Sequence, residues 1–166
     1  MQYIELDGIV KKTKTFDKAG NENLDSSKIC VYNESKKLVA VFYTNKKGKC
    51  KFRLPLNKKF TIEIGKKGFV SKLIEVNTKV PPERKIGYGF PFEISIFEEL
   101  KELDTSILQK PIAKISFSMS QNQFAYDYMN TDYINNELRR QYKEYYFLRE
   151  VDADFKKDSL DTQNKK

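Results

Sequence analysis

The residues with the strongest chemical character are cations set at every second position. Lys49, Lys51 and Arg53 alternate with Cys50, Phe52 and Leu54, and in an extended chain that period puts the three cations on one face. Lys46, Lys47, Lys58 and Lys59 flank them at the adjoining turns. Such an array favours an anionic partner: an acidic protein, an anionic surface or glycan, or nucleic acid. Bases would need aromatic platforms among the cations. Phe52 alternates away from them, which disfavours nucleic acid. The plainer reading is a solvated sheet face whose lysines guard an edge against aggregation.

A second cluster is aromatic. Phe124, Tyr126, Tyr128 and Tyr133 are followed by Tyr142, Tyr145, Tyr146 and Phe147. A helix cannot bury the last four on one face, so some should meet the protein's own sheet and others a partner. Tyrosine joins apolar area to a hydroxyl and is frequent at interfaces. The candidate partner-binding residues are therefore Lys49, Lys51, Arg53, Tyr142, Tyr145, Tyr146 and Phe147.

Catalysis has little to work with. The chain has no histidine, which excludes a Ser-His-Asp triad, a Cys-His pair and a histidine-ligated metal. Its two cysteines, Cys30 and Cys50, cannot make a four-thiolate site. Ser71-Lys72 lacks the S-x-x-K spacing of a serine nucleophile with a lysine base. Asp152, Asp154 and Asp158 suggest a calcium loop, but Lys157 and Gln163 stand where Gly and Glu are needed. Asp127 and Asp132 have nothing that separates them from ordinary surface acids. The expectation is a chain that is not an enzyme and carries no metal or cofactor.

The elements that position these residues follow from periodicity. Of 166 residues, 1–100 carry 20 Lys+Arg and 12 Asp+Glu, whereas 101–166 carry 11 of each. The net +8 therefore belongs to the first part, which also shows period-2 patterning nearly throughout. Strands are predicted at Tyr3–Val10, Lys28–Tyr32, Leu38–Thr44, Lys49–Leu54, Phe60–Ile64, Phe69–Val76 and Phe92–Phe97, with 11–27 as a loop and Gly48 at a turn needing positive φ. Seven short strands between turn signals predict a β-sandwich over 1–100. The phases turn Cys30 outward and Cys50 inward, against a disulfide. Residues 101–130 read as an extended segment packing on the sandwich, with Ile112–Phe117 a further strand. A helix is predicted over 131–150, capped by Asn130 or Thr131 and carrying a stripe of Ile134, Leu138, Tyr142 and Tyr145. Residues 151–166 read as a disordered charged tail. No apolar run approaches the roughly twenty residues of a membrane-spanning helix.

The stretch from Gly48 to Pro81 resembles the carboxypeptidase regulatory-like, transthyretin-like domain of Bacteroidetes envelope proteins. Thr44, Gly48, Phe52, Leu54, Phe60, Ile62, Lys67, Gly68, Phe69, Val70, Ser71 and Lys72 occupy that family's motif positions, with Cys50 where an aromatic is usual. Phe90-Pro91-Phe92 through Phe97, and Pro111 to Ile115, resemble its continuation. The resemblance implies a seven-strand Greek-key sandwich, usually exported, that serves as a non-catalytic interaction or structural module. It implies a protein partner in a larger envelope assembly, such as an outer-membrane transport or secretion complex. The compartment implied is the periplasm or cell envelope after removal of a leader, or the cytoplasm if none exists. The alternative drawn from charge is a basic protein binding nucleic acid or another polyanion.

Overall fold

Alternation of apolar and polar residues governs the first half of the chain, and the computed structural model, which describes residues 2–13, 22–84 and 87–163, shows how the strands assort. The strands are β1 (Tyr3–Lys12), β2 (Glu22–Asn23), β3 (Lys28–Asn33), β4 (Leu38–Tyr43), β5 (Lys49–Pro55), β6 (Lys59–Gly65), β7 (Lys72–Asn77), β8 (Tyr88–Ile96), β9 (Pro111–Ser118) and β10 (Gln123–Tyr126), followed by one helix, α1 (Tyr128–Gln163). The first sheet is centred on β1, which pairs antiparallel with β5 (Gly8 opposite Cys50) and parallel with β8 (Gly8 opposite Phe92). The short β2 pairs with the end of β1. The second sheet has the order β10-β9-β7-β6-β3-β4.

The two sheets face each other as a sandwich. Ile4, Leu6, Val10, Phe52, Leu54, Ile94 and Ile96 from one sheet meet Ile29, Val31, Ile62, Ile64, Ile74, Val76 and Ile115 from the other. Phe42 and Phe52 stack across the gap with ring centroids 4.8 Å apart. Close packing of this kind makes each core side chain sensitive to a change in volume.

The predicted sandwich is present, with ten strands among the described residues instead of seven. Residues 101–130 are not merely an extended segment laid on the sandwich. They contain a 3-10 turn (Ser106–Gln109) and the strands β9 and β10, which complete the second sheet through a parallel β7–β9 pair. The strand predicted from Phe69 begins at Lys72, and Phe69 makes only an isolated bridge to Glu98. Cys30 and Cys50 are free thiols. Cys50 points inward as its phase requires, but Cys30 is also buried, because β3 lies between β4 and β6, with Val41 and Glu63 opposite it on either side. Most of the predicted loop at 11–27 lies outside the described residues.

The helix begins before and ends after its predicted bounds. Asp127 occupies the cap, its Oδ1 accepting the Asn130 N–H at 3.1 Å, the arrangement that satisfies an otherwise orphaned first-turn donor. Asn130 instead donates its side-chain amide to the Pro111 carbonyl at 3.0 Å, tying the helix to β9. Residues 151–163, expected as a disordered tail, continue the helix to Gln163. The physical reason is visible in composition: 151–163 has neither Gly nor Pro, and its Ala, Lys and Leu are good helix formers. No helix among the described residues is long and apolar enough to cross a membrane.

Gly48 adopts φ of +69°, and a Cβ there would sit 2.7 Å from the Val10 carbonyl oxygen. Gly48→Ala is therefore expected to lower stability by about 1–3 kcal/mol, from a left-handed backbone and a backbone clash together. Urea denaturation would check it, and an unchanged midpoint would refute it.

Candidate functional site

Strand β5 presents Lys49, Lys51 and Arg53 to solvent and buries Cys50, Phe52 and Leu54. The β1–β5 register places Glu5 opposite Arg53. Its carboxylate receives Lys51 Nζ at 2.8 Å and Arg53 Nε at 2.9 Å, and these hydrogen bonds hold it below the usual carboxylate range. The Arg53 guanidinium also lies over the Tyr3 ring at 4.3 Å. Two of the three cations are thus partly neutralised by their own sheet. Over 28–59 ten basic residues stand against Glu34 alone, and the neutralising carboxylate comes from Glu5, far off in sequence, through the β1–β5 pairing.

The aromatic helix residues divide. Tyr142 and Tyr145 are half-buried against the core, whereas Tyr146 and Phe147 are exposed. The Tyr142 and Tyr146 hydroxyls lie 3.2 Å apart, and the Arg149 guanidinium covers the Tyr145 ring at 4.4 Å. Arg149 also donates to the Lys101 carbonyl at 3.3 Å. Among the described residues it is the last in α1 joined to the sandwich by a hydrogen bond or ion pair. Beyond it α1 projects, and Leu148, Val151 and Phe155 recur at three and four residues, so they share one side of the helix. Phe147 and Phe155 are 64% and 72% exposed. The expectation of a solvated tail had passed over Val151 and Phe155.

A third feature had no place among the expected sites. Lys72 stands in phase with Ile74 and Val76, on the inward side of β7, and is only 5% exposed. Its Nζ donates to the Ser95 carbonyl at 2.6 Å and lies 5.8 Å from the Phe97 ring centroid. Burial pushes the amine down to about 8, because a charge in an apolar interior loses its hydration. Lys72 borders a cavity of about 450 Å³ that opens between β8, β9 and the first turns of α1. Ser71 goes to the opposite side of the sheet, into a shallow hollow with Cys30, Tyr32 and Gly65, so Ser71 and Lys72 do not form a nucleophile–base pair. The signal for Lys72 was available in the sequence: a lysine at an inward-phased strand position.

Among the described residues no group of three or more Cys, Asp or Glu side chains is placed to hold a metal ion.

The architecture defines a mainly β, two-sheet sandwich with one C-terminal helix. No protein-family model matches the chain, and no curated protein is similar to it in sequence. Among solved structures it is similar to the Bacillus anthracis TIE protein at 24% identity and a TM-score of 0.47, over 58% of this chain and 18% of that one. It is also similar to S.CueP, at 12% identity and a TM-score of 0.38, over 55% of this chain and 60% of that one. A third is GBS52, the minor pilin of Streptococcus agalactiae, at 9% identity and a TM-score of 0.39, over 60% of this chain and 46% of that one. In each case the match spans less than two thirds of the other protein. These likenesses concern the fold and say nothing of what this chain binds.

Proposed function

We propose that this chain is a non-catalytic interaction module of a bacterial cell envelope, an accessory subunit that docks a protein partner on the projecting half of α1. The observation that carries the reading is the exposed row Leu148, Val151 and Phe155, with Phe147 beside it, on a helix segment that the sandwich does not cover. Apolar and aromatic side chains gathered on an exposed surface mark interaction sites more often than scattered ones do. The compartment and the larger assembly come from the resemblance to the carboxypeptidase regulatory-like domain. The polyanion alternative loses weight because Glu5 engages Lys51 and Arg53.

The test is Phe147→Ser combined with Phe155→Ser in the full chain. Both positions are exposed, so the thermal midpoint should move by no more than a few degrees. Cross-linking in native envelope extract should lose its main protein partner. If the doubly substituted chain captures the same partner with the same yield, α1 is not the docking element.

A further inference from the structure

The second sheet ends on β4, and this edge lacks the protection that the other edges carry. β5, at one edge of the first sheet, sets Lys49, Lys51 and Arg53 along its exposed face, and β8, at the other, contains Gly89 and Pro91. β10, at the far edge of the second sheet, has only four residues. Charges, proline and shortness are the usual means of keeping an edge from pairing with another chain. β4 is Leu38-Val39-Ala40-Val41-Phe42-Tyr43, six residues with no charge, glycine or proline. Its Phe42 stacks on Phe52 of the core, whereas Leu38, Val39, Val41 and Tyr43 are exposed. The direction of its backbone follows from β3. Thr44 donates its N–H to the Ser27 carbonyl at 3.0 Å, and in an antiparallel pair successive residues turn their polar groups alternately toward and away from the neighbour. Phe42 and Ala40 therefore bond toward β3, opposite Ile29 and Val31. The N–H and C=O groups of Val41 and Tyr43 point away from the sheet, where no described strand pairs with them.

We propose that β4 is a strand-addition site, which pairs through its backbone with an extended segment of another protein, apolar in the middle and acidic at both ends. In this mode main-chain hydrogen bonds supply affinity and side chains at alternate positions supply choice. Val41 and Tyr43, two residues apart on the outer face, offer apolar neighbours to the added strand. The charge at the two ends decides the occupant. Lys36 and Lys37 precede β4 and Lys46 and Lys47 follow it, all of them exposed, and Glu34 is the one acid between residues 28 and 59. A second copy of the chain, paired antiparallel through the same strand about a two-fold axis, would bring the lysines before β4 in one copy beside those after β4 in the other. Like charges so placed repel. An apolar strand with acids at either end meets lysines at both. The site lies at the opposite edge of the second sheet from β10, which leads into α1, and it does not rest on the docking reading above.

The test uses the full chain and a labelled peptide, Glu-Glu-Thr-Val-Thr-Val-Thr-Glu-Glu, followed by fluorescence anisotropy. Two control peptides should each bind about tenfold more weakly or worse. One carries lysine in place of glutamate, and the other is N-methylated throughout its central Thr-Val-Thr-Val-Thr, which removes the ladder bonds. Val41→Pro deletes an outward N–H and no bond to β3, so the chain should stay folded and bind the peptide about tenfold more weakly. Reversing the flanks with Lys36→Glu, Lys37→Glu, Lys46→Glu and Lys47→Glu, all at exposed turn positions, should invert the preference toward the lysine-flanked peptide. Phe147→Ser with Phe155→Ser should bind the peptide as the parent does. The proposal is overturned if the acidic peptide fails to bind, if either control peptide binds alike, if folded Val41→Pro binds as the parent does, or if the charge-reversed chain keeps the parent's preference. Loss of the peptide on substitution of Phe147 and Phe155 would also overturn it, by placing the peptide on α1. So would a free chain that sediments as a dimer and becomes a monomer with Val41→Pro, by giving the edge to a second copy.

Discussion

Leu138→Ala is expected to remove about 3 kcal/mol of folding stability, within the range of about 2–5 kcal/mol for deleting a buried leucine side chain. Leu138 is fully buried, and with Ile134 it is one of only two described α1 residues in the core. The rest of the helix meets the sandwich through half-buried tyrosines and a few polar contacts. An isolated helix draws little stability from propensity alone and depends on its packed face. Removing three carbons from one of two anchors therefore weakens the attachment of the entire element. Urea denaturation followed by circular dichroism would measure the loss, and amide exchange would show reduced protection from Ile134 through Tyr145. The contrasting substitution is Leu148→Ala, at a position 58% exposed, which should stay within about 0.5 kcal/mol. A loss below about 1 kcal/mol at Leu138 would mean that other contacts hold the helix.

Lys72→Met should do the reverse and stabilise the protein by about 2 kcal/mol at pH 7. The Lys72 amine titrates at about 8 in the fold, against 10.5 in the unfolded chain. A lowered lysine pKa means that the fold disfavours the charged form, and linkage converts the difference to a penalty of about 3 kcal/mol when both states are charged. Methionine removes that penalty but also the polar contacts of the amine, its hydrogen bond to the Ser95 carbonyl among them, at a cost of about 1 kcal/mol each. The sign with pH follows. Below pH 8 both states carry the proton and the penalty is constant. Between 8 and 10.5 the unfolded chain holds more protons, so the parent gains stability as pH rises. The advantage of methionine should have vanished near pH 10. Burial pushes the Cys50 thiol up to about 11 from 9.0, which works the other way: the unfolded thiol ionises first, and stability falls above pH 9. That contribution is common to both chains and cancels in their difference. Equal stability of the two proteins at pH 7 would show that Lys72 carries no burial penalty.

A lysine that the fold keeps at a cost, beside a cavity, is the kind of local inconsistency expected at a functional position rather than a structural one.

Much of the architecture was legible because period-2 patterning states which residues share a face. β5 shows this most plainly: Lys49, Lys51 and Arg53 outward, with Cys50, Phe52 and Leu54 inward. The turn at Gly48 was equally plain, since few residues other than glycine tolerate its backbone. The helix stripe at Ile134 and Leu138 marked the true anchors. Its ends were less legible, because Asp127 takes the cap while Asn130, a good capping residue, is drawn off to the Pro111 carbonyl of β9.

By itself the amino-acid sequence determined the sandwich class, the faces of its strands and the aromatic excess of its last third, all properties of short stretches of chain. Only the tertiary structure decided which faces meet. It brought Glu5 onto Lys51 and Arg53, inserted β9 beside β7, and left Lys72 and Thr131 at one cavity between sheet and helix. The reason is that alternation assigns a residue to a side but names no partner across it. Partners are chosen by register and by the packing of elements distant along the chain.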